Sequence, residues 1–122
     1  MINVHNNQVK ELYLYRNKKK PIVMTVNIQF LDMPTSETLY EYITGKLNKL
    51  SHKYDWVISA SVSIEKRNDP KGGGKVCKME LSLPGPRIYA ESDERNYELS
   101  VKETLKDVET QLKKRKEVYK TH

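Results

Sequence analysis

The sequence predicts an α+β fold of order β-α-β-β-β-α, in which a four-stranded mixed sheet carries both helices packed on one face. Three observations carry it. Short segments alternate apolar and polar residues with period two, and two longer segments repeat apolar residues at three- and four-residue steps. Every strand has one apolar and one polar side, so both helices must cover the same side of the sheet. A chain of 122 residues suffices for one modest core and not for two.

The first strand is "MTVNIQFL" from Met24, with Val26, Ile28 and Phe30 on one face and Thr25, Asn27 and Gln29 on the other. The following "DMPT" breaks the alternation, and Thr35 is the expected N-cap. In "SETLYEYITGKLNKLSHKY" the apolar positions Leu39, Ile43, Leu47, Leu50 and Tyr54 mark an amphipathic helix. The second strand, "WVISASVSIEK", alternates Trp56, Ile58, Ala60, Val62 and Ile64 against a serine-rich set ending in Glu65. "RNDPKGGGK" reads as a flexible hairpin loop, and "VCKMELSL" returns with Cys77, Met79, Leu81 and Leu83 inward. Pro84, Gly85 and Pro86 turn the chain into the short strand "RIYAE", after which Ser92 or Asp93 is expected to cap a helix from about Glu94 to Val118. The β-α-β unit predicts a parallel pair and the two short connections predict antiparallel hairpins.

Residues 1–23 hold no sustained period and end in a lysine triplet and Pro21. They are expected to form a disordered extension ahead of a single domain over residues 24–122, or an artefact of start assignment with Met24 as the natural start.

Net charge is +6, but it is unevenly placed. Five basic residues and only Glu11 fall within 1–23, leaving 17 basic against 15 acidic residues in the rest. A folded part that binds a polyanion must therefore sort its charges in space. Cys77 is the lone cysteine, which excludes an internal disulfide and a cysteine zinc site and fits a reducing compartment. No apolar run approaches the roughly 18 residues of a membrane span, and the N-terminus lacks a signal peptide's apolar stretch.

Catalysis finds no footing. "GGGK" is followed by Val76 and lacks the hydroxyl and upstream glycine of a phosphate-binding loop. His5, His52 and His122 have no partners at metal-ligand spacing. Cys77 points with the apolar set, and no two acids pair as general acid and base. No cofactor is expected.

Charge patterning is more informative. In the last helix Tyr97, Val101, Leu105, Val108 and Leu112 form the apolar stripe, while Arg95, Lys102, Lys106, Lys113 and Lys120 share a narrow sector beside it. That basic rail would run about 38 Å, interrupted only by Glu109. Lys46, Lys49 and Lys53 flank the apolar stripe of the first helix, with Tyr42 among them, either as a stacking surface or as a partly buried side chain. Lys66, Arg67, Lys71 and Lys75 in the hairpin add further contacts. Solubility favours mixed signs on a surface, so two sorted stripes predict polyanion binding. A membrane-lying helix is disfavoured because its apolar face is needed by the sheet.

The element order, the opening "MTVNIQFL", the helix ending "GKLNKLSHKYD", the turn and strand "LSLPGPRIYAES" and the final "DERNYELSVKETLKDVETQLKKRKE" together resemble the ribosome hibernation-promoting factor family, also called ribosome-associated inhibitor A or sigma-54 modulation proteins. The resemblance covers Met24 to about Lys120. It implies binding to the small (30S) ribosomal subunit in the channel for messenger and transfer RNA, contacts to 16S rRNA, and silenced translation in stationary or starved cells. By position, it assigns rRNA contacts to Lys46, Lys49, Lys53, Tyr97, Lys113, Lys114, Arg115 and Lys116. It also implies a cytoplasmic, non-enzymatic, monomeric protein with no DNA partner. "RNYELSV" departs from the family's usual "DMY" and small apolar residues at this turn. The sequence stops at His122, where long members continue into a ribosome-pairing domain, so it resembles a short form. Of the rail's neighbours, Lys114 points away and Arg115 falls on the apolar side, its stem expected to pack against the sheet or a loop. Competing readings are a stand-alone double-stranded RNA binder, a small α+β enzyme acting on a phosphorylated substrate, and a protein adaptor using the serine-rich sheet face.

Overall fold

The computed structural model describes residues 24–120. The expected extension over 1–23 and His122 lie outside the described residues. Six elements follow in the predicted order: β1 (Thr25–Leu31), α1 (Glu37–Lys53), β2 (Ser59–Lys66), β3 (Lys75–Ser82), β4 (Ile88–Glu94) and α2 (Tyr97–Lys120). Strands stand side by side as β1-β2-β3-β4, with β1 and β2 parallel and the other two pairs antiparallel.

Register explains why the core sits on one side. Ile28, Val62, Met79 and Ala90 face one another across the four strands, and the adjacent row is Asn27, Ser61, Glu80 and Tyr89. Because side chains alternate along a strand, the first row meets the helices and the second is left open. Ile43 and Leu47 of α1 and Val101, Val108 and Leu112 of α2 are fully buried against the first row.

Four boundaries differ from the sequence expectation. The N-cap of α1 is Ser36, not Thr35; its hydroxyl accepts from the Leu39 N–H at 3.2 Å. Ser92 and Asp93 do not cap α2 but extend β4. The cap is Asn96, whose Oδ1 accepts from the Leu99 N–H at 2.8 Å. Arg95 therefore precedes α2 instead of sitting in its first turn. In the segment before β2 the alternation fails: Val57 is buried and Ile58 is 59 % exposed. The Val57 N–H donates to the Tyr54 carbonyl in a turn, so the pleat begins only at Ser59.

The hairpin loop is tied down where a flexible tip was expected. Asp69 accepts from the backbone N–H of Lys71 and of Gly72, and Asp93 Oδ1 accepts from Gly74 N–H at 2.7 Å. Gly74 has φ +93, and a Cβ there would lie 2.2 Å from the Arg67 carbonyl oxygen. Only glycine fits that left-handed, crowded position.

Candidate nucleic-acid interface

α1 and α2 pack beside each other on the sheet, and their lysine stripes meet at the seam. A groove of about 430 Å³ opens there, lined by Tyr42, Lys46, Lys49, Leu50 and Lys53 from α1 and by Lys102, Leu105, Lys106 and Glu109 from α2. The two stripes thus form one continuous surface, as the helical wheels suggest. The cause is simple spacing: residues three and four apart share a face, so flanks of both core-facing stripes end up at the same seam.

The lysines are not equivalent. Lys53 Nζ lies 2.8 Å from Glu109 Oε2 and 5.6 Å from the Tyr54 ring. Lys102 pairs with Glu98 one turn earlier at 2.9 Å. Lys46 stands over the Tyr42 ring at 5.5 Å. Among the described residues, Lys46, Lys49 and Lys106 have no carboxylate partner. Tyr42 is partly buried, packing against the core, and its remaining surface lines the groove.

Glu109, read from the sequence as an interruption, sits inside the groove. Its Oε2 accepts from Lys53 and from the Tyr54 hydroxyl at 3.5 Å. The bond from Lys53, with Lys113 nearby, holds its carboxyl below the ordinary range despite partial burial. Glu109 is therefore an ionised, acceptor-only group at neutral pH.

Beyond the groove the surface continues along α2. Lys116 stands over Tyr54 at 5.8 Å, Lys120 pairs loosely with Glu117 at 3.6 Å, and Lys113 and Lys114 are exposed. Arg115 turns to the fold, as expected, and its Nη1 donates to the Pro84 carbonyl at 3.1 Å. The Tyr119 hydroxyl donates to the same carbonyl. Tyr119 meets Trp56 edge-on at 4.8 Å, and Trp56 meets Tyr54 at 5.8 Å. This aromatic ladder anchors the end of α2. It joins Tyr54, Trp56 and Tyr119, which no sequence period connects.

The hairpin residues stand apart from the groove, at the sheet end where α2 begins. Lys75 lies over the Tyr97 ring at 5.9 Å, and Lys66 and Lys71 are exposed. Arg67 points elsewhere: it pairs with Glu65 at 3.2 Å and Glu91 at 3.6 Å, outward residues of β2 and β4. It thereby crosses β3 near Val76, which is fully buried although it faces away from the helices. Arg67 thus belongs to the open face, not to the helix side.

That open face has a different character. Asn27, Gln29, Ser61, Ser63, Lys78, Glu80 and Tyr89 line a shallow depression of about 360 Å³. Its charges are mixed: Arg87 donates to Glu80 at 3.3 Å and the Tyr89 hydroxyl to Glu91 at 2.8 Å, and Lys78 adds a cation. Among the described residues, the three groove lysines without a carboxylate partner, Lys46, Lys49 and Lys106, cluster on the helix side.

Among the described residues no three His, Cys, Asp or Glu side chains converge to hold a metal ion, and no helix is long and apolar enough to cross a membrane. Burial pushes the Cys77 thiol up to about 11, so the thiolate needed by a nucleophile is suppressed.

The family described as sigma 54 modulation protein / S30EA ribosomal protein matches residues 26–120. No curated protein sequence matches the chain. Among solved structures, a ribosomal subunit interface protein from Coxiella burnetii is similar with a TM-score of 0.67 and 22 % identity, covering 76 % of this chain and 98 % of that one. The N-terminal domain of Thermus thermophilus Protein Y is similar with a TM-score of 0.63 and 17 % identity, covering 75 % and 98 %. At such identities these two likenesses establish the fold.

Proposed function

Because the chain belongs to the sigma 54 modulation protein / S30EA ribosomal protein family, a family of ribosome-associated factors, we propose that it binds the small ribosomal subunit through 16S rRNA and silences translation by occupying the decoding channel. The supporting observation is the lysine groove: two helices place five lysines around one seam, on the face opposite a sheet surface of mixed charge. α2 spans 24 residues, about 36 Å, enough to follow several phosphates. The Coxiella neighbour is described as a ribosomal subunit interface protein, and that place on the ribosome extends naturally to this chain.

The mechanism is steric and electrostatic. Ammonium groups displace counterions from rRNA phosphates, which drives association, while the rigid sheet supplies bulk where messenger and transfer RNA would pass. No bond is made or broken, and no cofactor takes part. The protein works in the cytoplasm, as a monomer, in stationary or starved cells; residues 24–122 act as its single ribosome-binding domain.

Reversal of charge in the triple variant K102E/K106E/K113E tests this. All three residues are exposed, so the fold is retained, and co-sedimentation with small subunits is expected to vanish. Unchanged co-sedimentation overturns the reading. Competition with plain duplex RNA separates it from a general double-stranded RNA binder, for which duplex displaces the protein from ribosomes at equal phosphate concentration.

A further inference from the structure

The groove has features that a phosphate track does not require. A surface that only follows a backbone needs cations; this one also has apolar walls from Leu50 and Leu105, an aromatic wall from Tyr42, and a carboxylate. Its volume of about 430 Å³ falls within the range that encloses a small molecule and is too small to admit a double helix. Unstacked bases of single-stranded RNA are held in this manner, against aromatic and apolar side chains with cations on the phosphates.

Glu109 supplies the polar element. Both of its hydrogen bonds fall on Oε2, from Lys53 and from the Tyr54 hydroxyl, and they fix the carboxylate at the seam. Oε1 accepts from none of these groups and is left for a ligand. A carboxylate only accepts, so it repels phosphate oxygens and base carbonyls and favours a base edge rich in N–H. Guanine alone places two N–H groups side by side on its Watson–Crick edge, N1–H and N2–H, and Oε1, with two lone pairs, can accept from both.

We propose that the groove between α1 and α2 takes one unstacked guanine nucleotide of single-stranded RNA, its phosphates on Lys46, Lys49 and Lys106 and its base read by Glu109. This deepens the RNA-binding reading above and rests on it. Leu50, Leu105 and Tyr42 contact the base plane and exclude water from the pair. Lys53 is a positioning residue for the base: it holds Glu109.

The test uses the full chain and fluorescein-labelled oligouridylate hexamers whose fourth position is guanine, inosine, adenine or uracil. Fluorescence anisotropy is expected to show guanine preferred over inosine, which lacks the N2 amino group, by roughly tenfold. Glu109→Gln is expected to erase that preference while affinity for the all-uracil hexamer holds or rises, since a negative charge leaves the groove. Equal affinity for guanine and inosine, a preference that survives in Glu109→Gln, or no binding to any hexamer by protein that still co-sediments with small subunits overturns the proposal. The inosine comparison needs only the unaltered protein, so it decides the matter even where the variant fails to fold. A guanine preference without small-subunit binding retains the pocket and overturns the ribosomal function instead.

Discussion

Removing the three groove lysines that lack a carboxylate partner should change how binding responds to salt more than it changes anything else. Of the five lysines at the seam, Lys53 is neutralised by Glu109 and Lys102 by Glu98. Lys46, Lys49 and Lys106 are left to meet phosphates, and all three are exposed. Each neutralised phosphate contributes about −0.7 to the slope of log K against log salt for single strands and about −0.9 for duplex. The triple variant K46Q/K49Q/K106Q should therefore flatten the slope by about 2.1 to 2.7. Between 50 and 200 mM potassium chloride, a fourfold change, the unaltered protein should lose roughly 20- to 40-fold more affinity than the variant. Glutamine keeps most of the stem and the helix propensity, and exposed substitutions of this kind cost within about 0.5 kcal/mol. The assay is filter binding of labelled small subunits across the salt range, with urea melts to confirm equal stability. A slope change below about one would mean that fewer than two of these lysines face phosphate, and the groove would cease to be the binding surface.

Two further outcomes follow from the fold. Gly74→Ala should destabilise by about 2 kcal/mol or more in urea unfolding, because both its left-handed backbone and the Arg67 carbonyl oppose a Cβ; Gly72→Ala shares the positive φ but meets open space, so a cost equal to that of Gly74→Ala would refute the steric part. The Cys77 thiol has its pKa raised from 9.0 to about 11 in the folded chain, so the stability it contributes is fully present below pH 9 and is lost as pH rises toward 11, by up to about 2.7 kcal/mol; a Cys77→Ala variant with the same alkaline stability profile between pH 9 and 10 would refute it.

Much of this architecture is legible in the sequence because period two and period 3.6 are imposed by geometry. Ile28, Ile43, Met79 and Val108 each fall where the periods place them. What escaped has physical reasons. Ser36 and Asn96 displaced Thr35, Ser92 and Asp93 as caps because several short polar residues stand near each helix start, and only the strand's pairing length decides among them. Tyr40 is fully buried in α1, three residues before Ile43 and seven before Leu47 and so on their face, while Leu39 is only partly buried: packing turns the core-facing sector toward Tyr40 and Thr44, which a wheel cannot show. Arg67 falls among the hairpin cations in the sequence, but its partners Glu65 and Glu91 come from two strands. The lysine stripes could be read helix by helix; their meeting at one seam needed the packing, and so did the place of Glu109 between them.

The ladder of Tyr54, Trp56 and Tyr119 gives the molecule an optical property as well as an anchor. Trp56 is the only tryptophan in the chain, and the Tyr54 ring it abuts also lies beneath Lys53 and Lys116. Anything that draws those ammonium groups toward phosphate alters the field and contacts around a single indole. Its emission is thus a built-in, label-free readout of occupancy at the groove's end, with no second fluorophore of its kind to blur the signal.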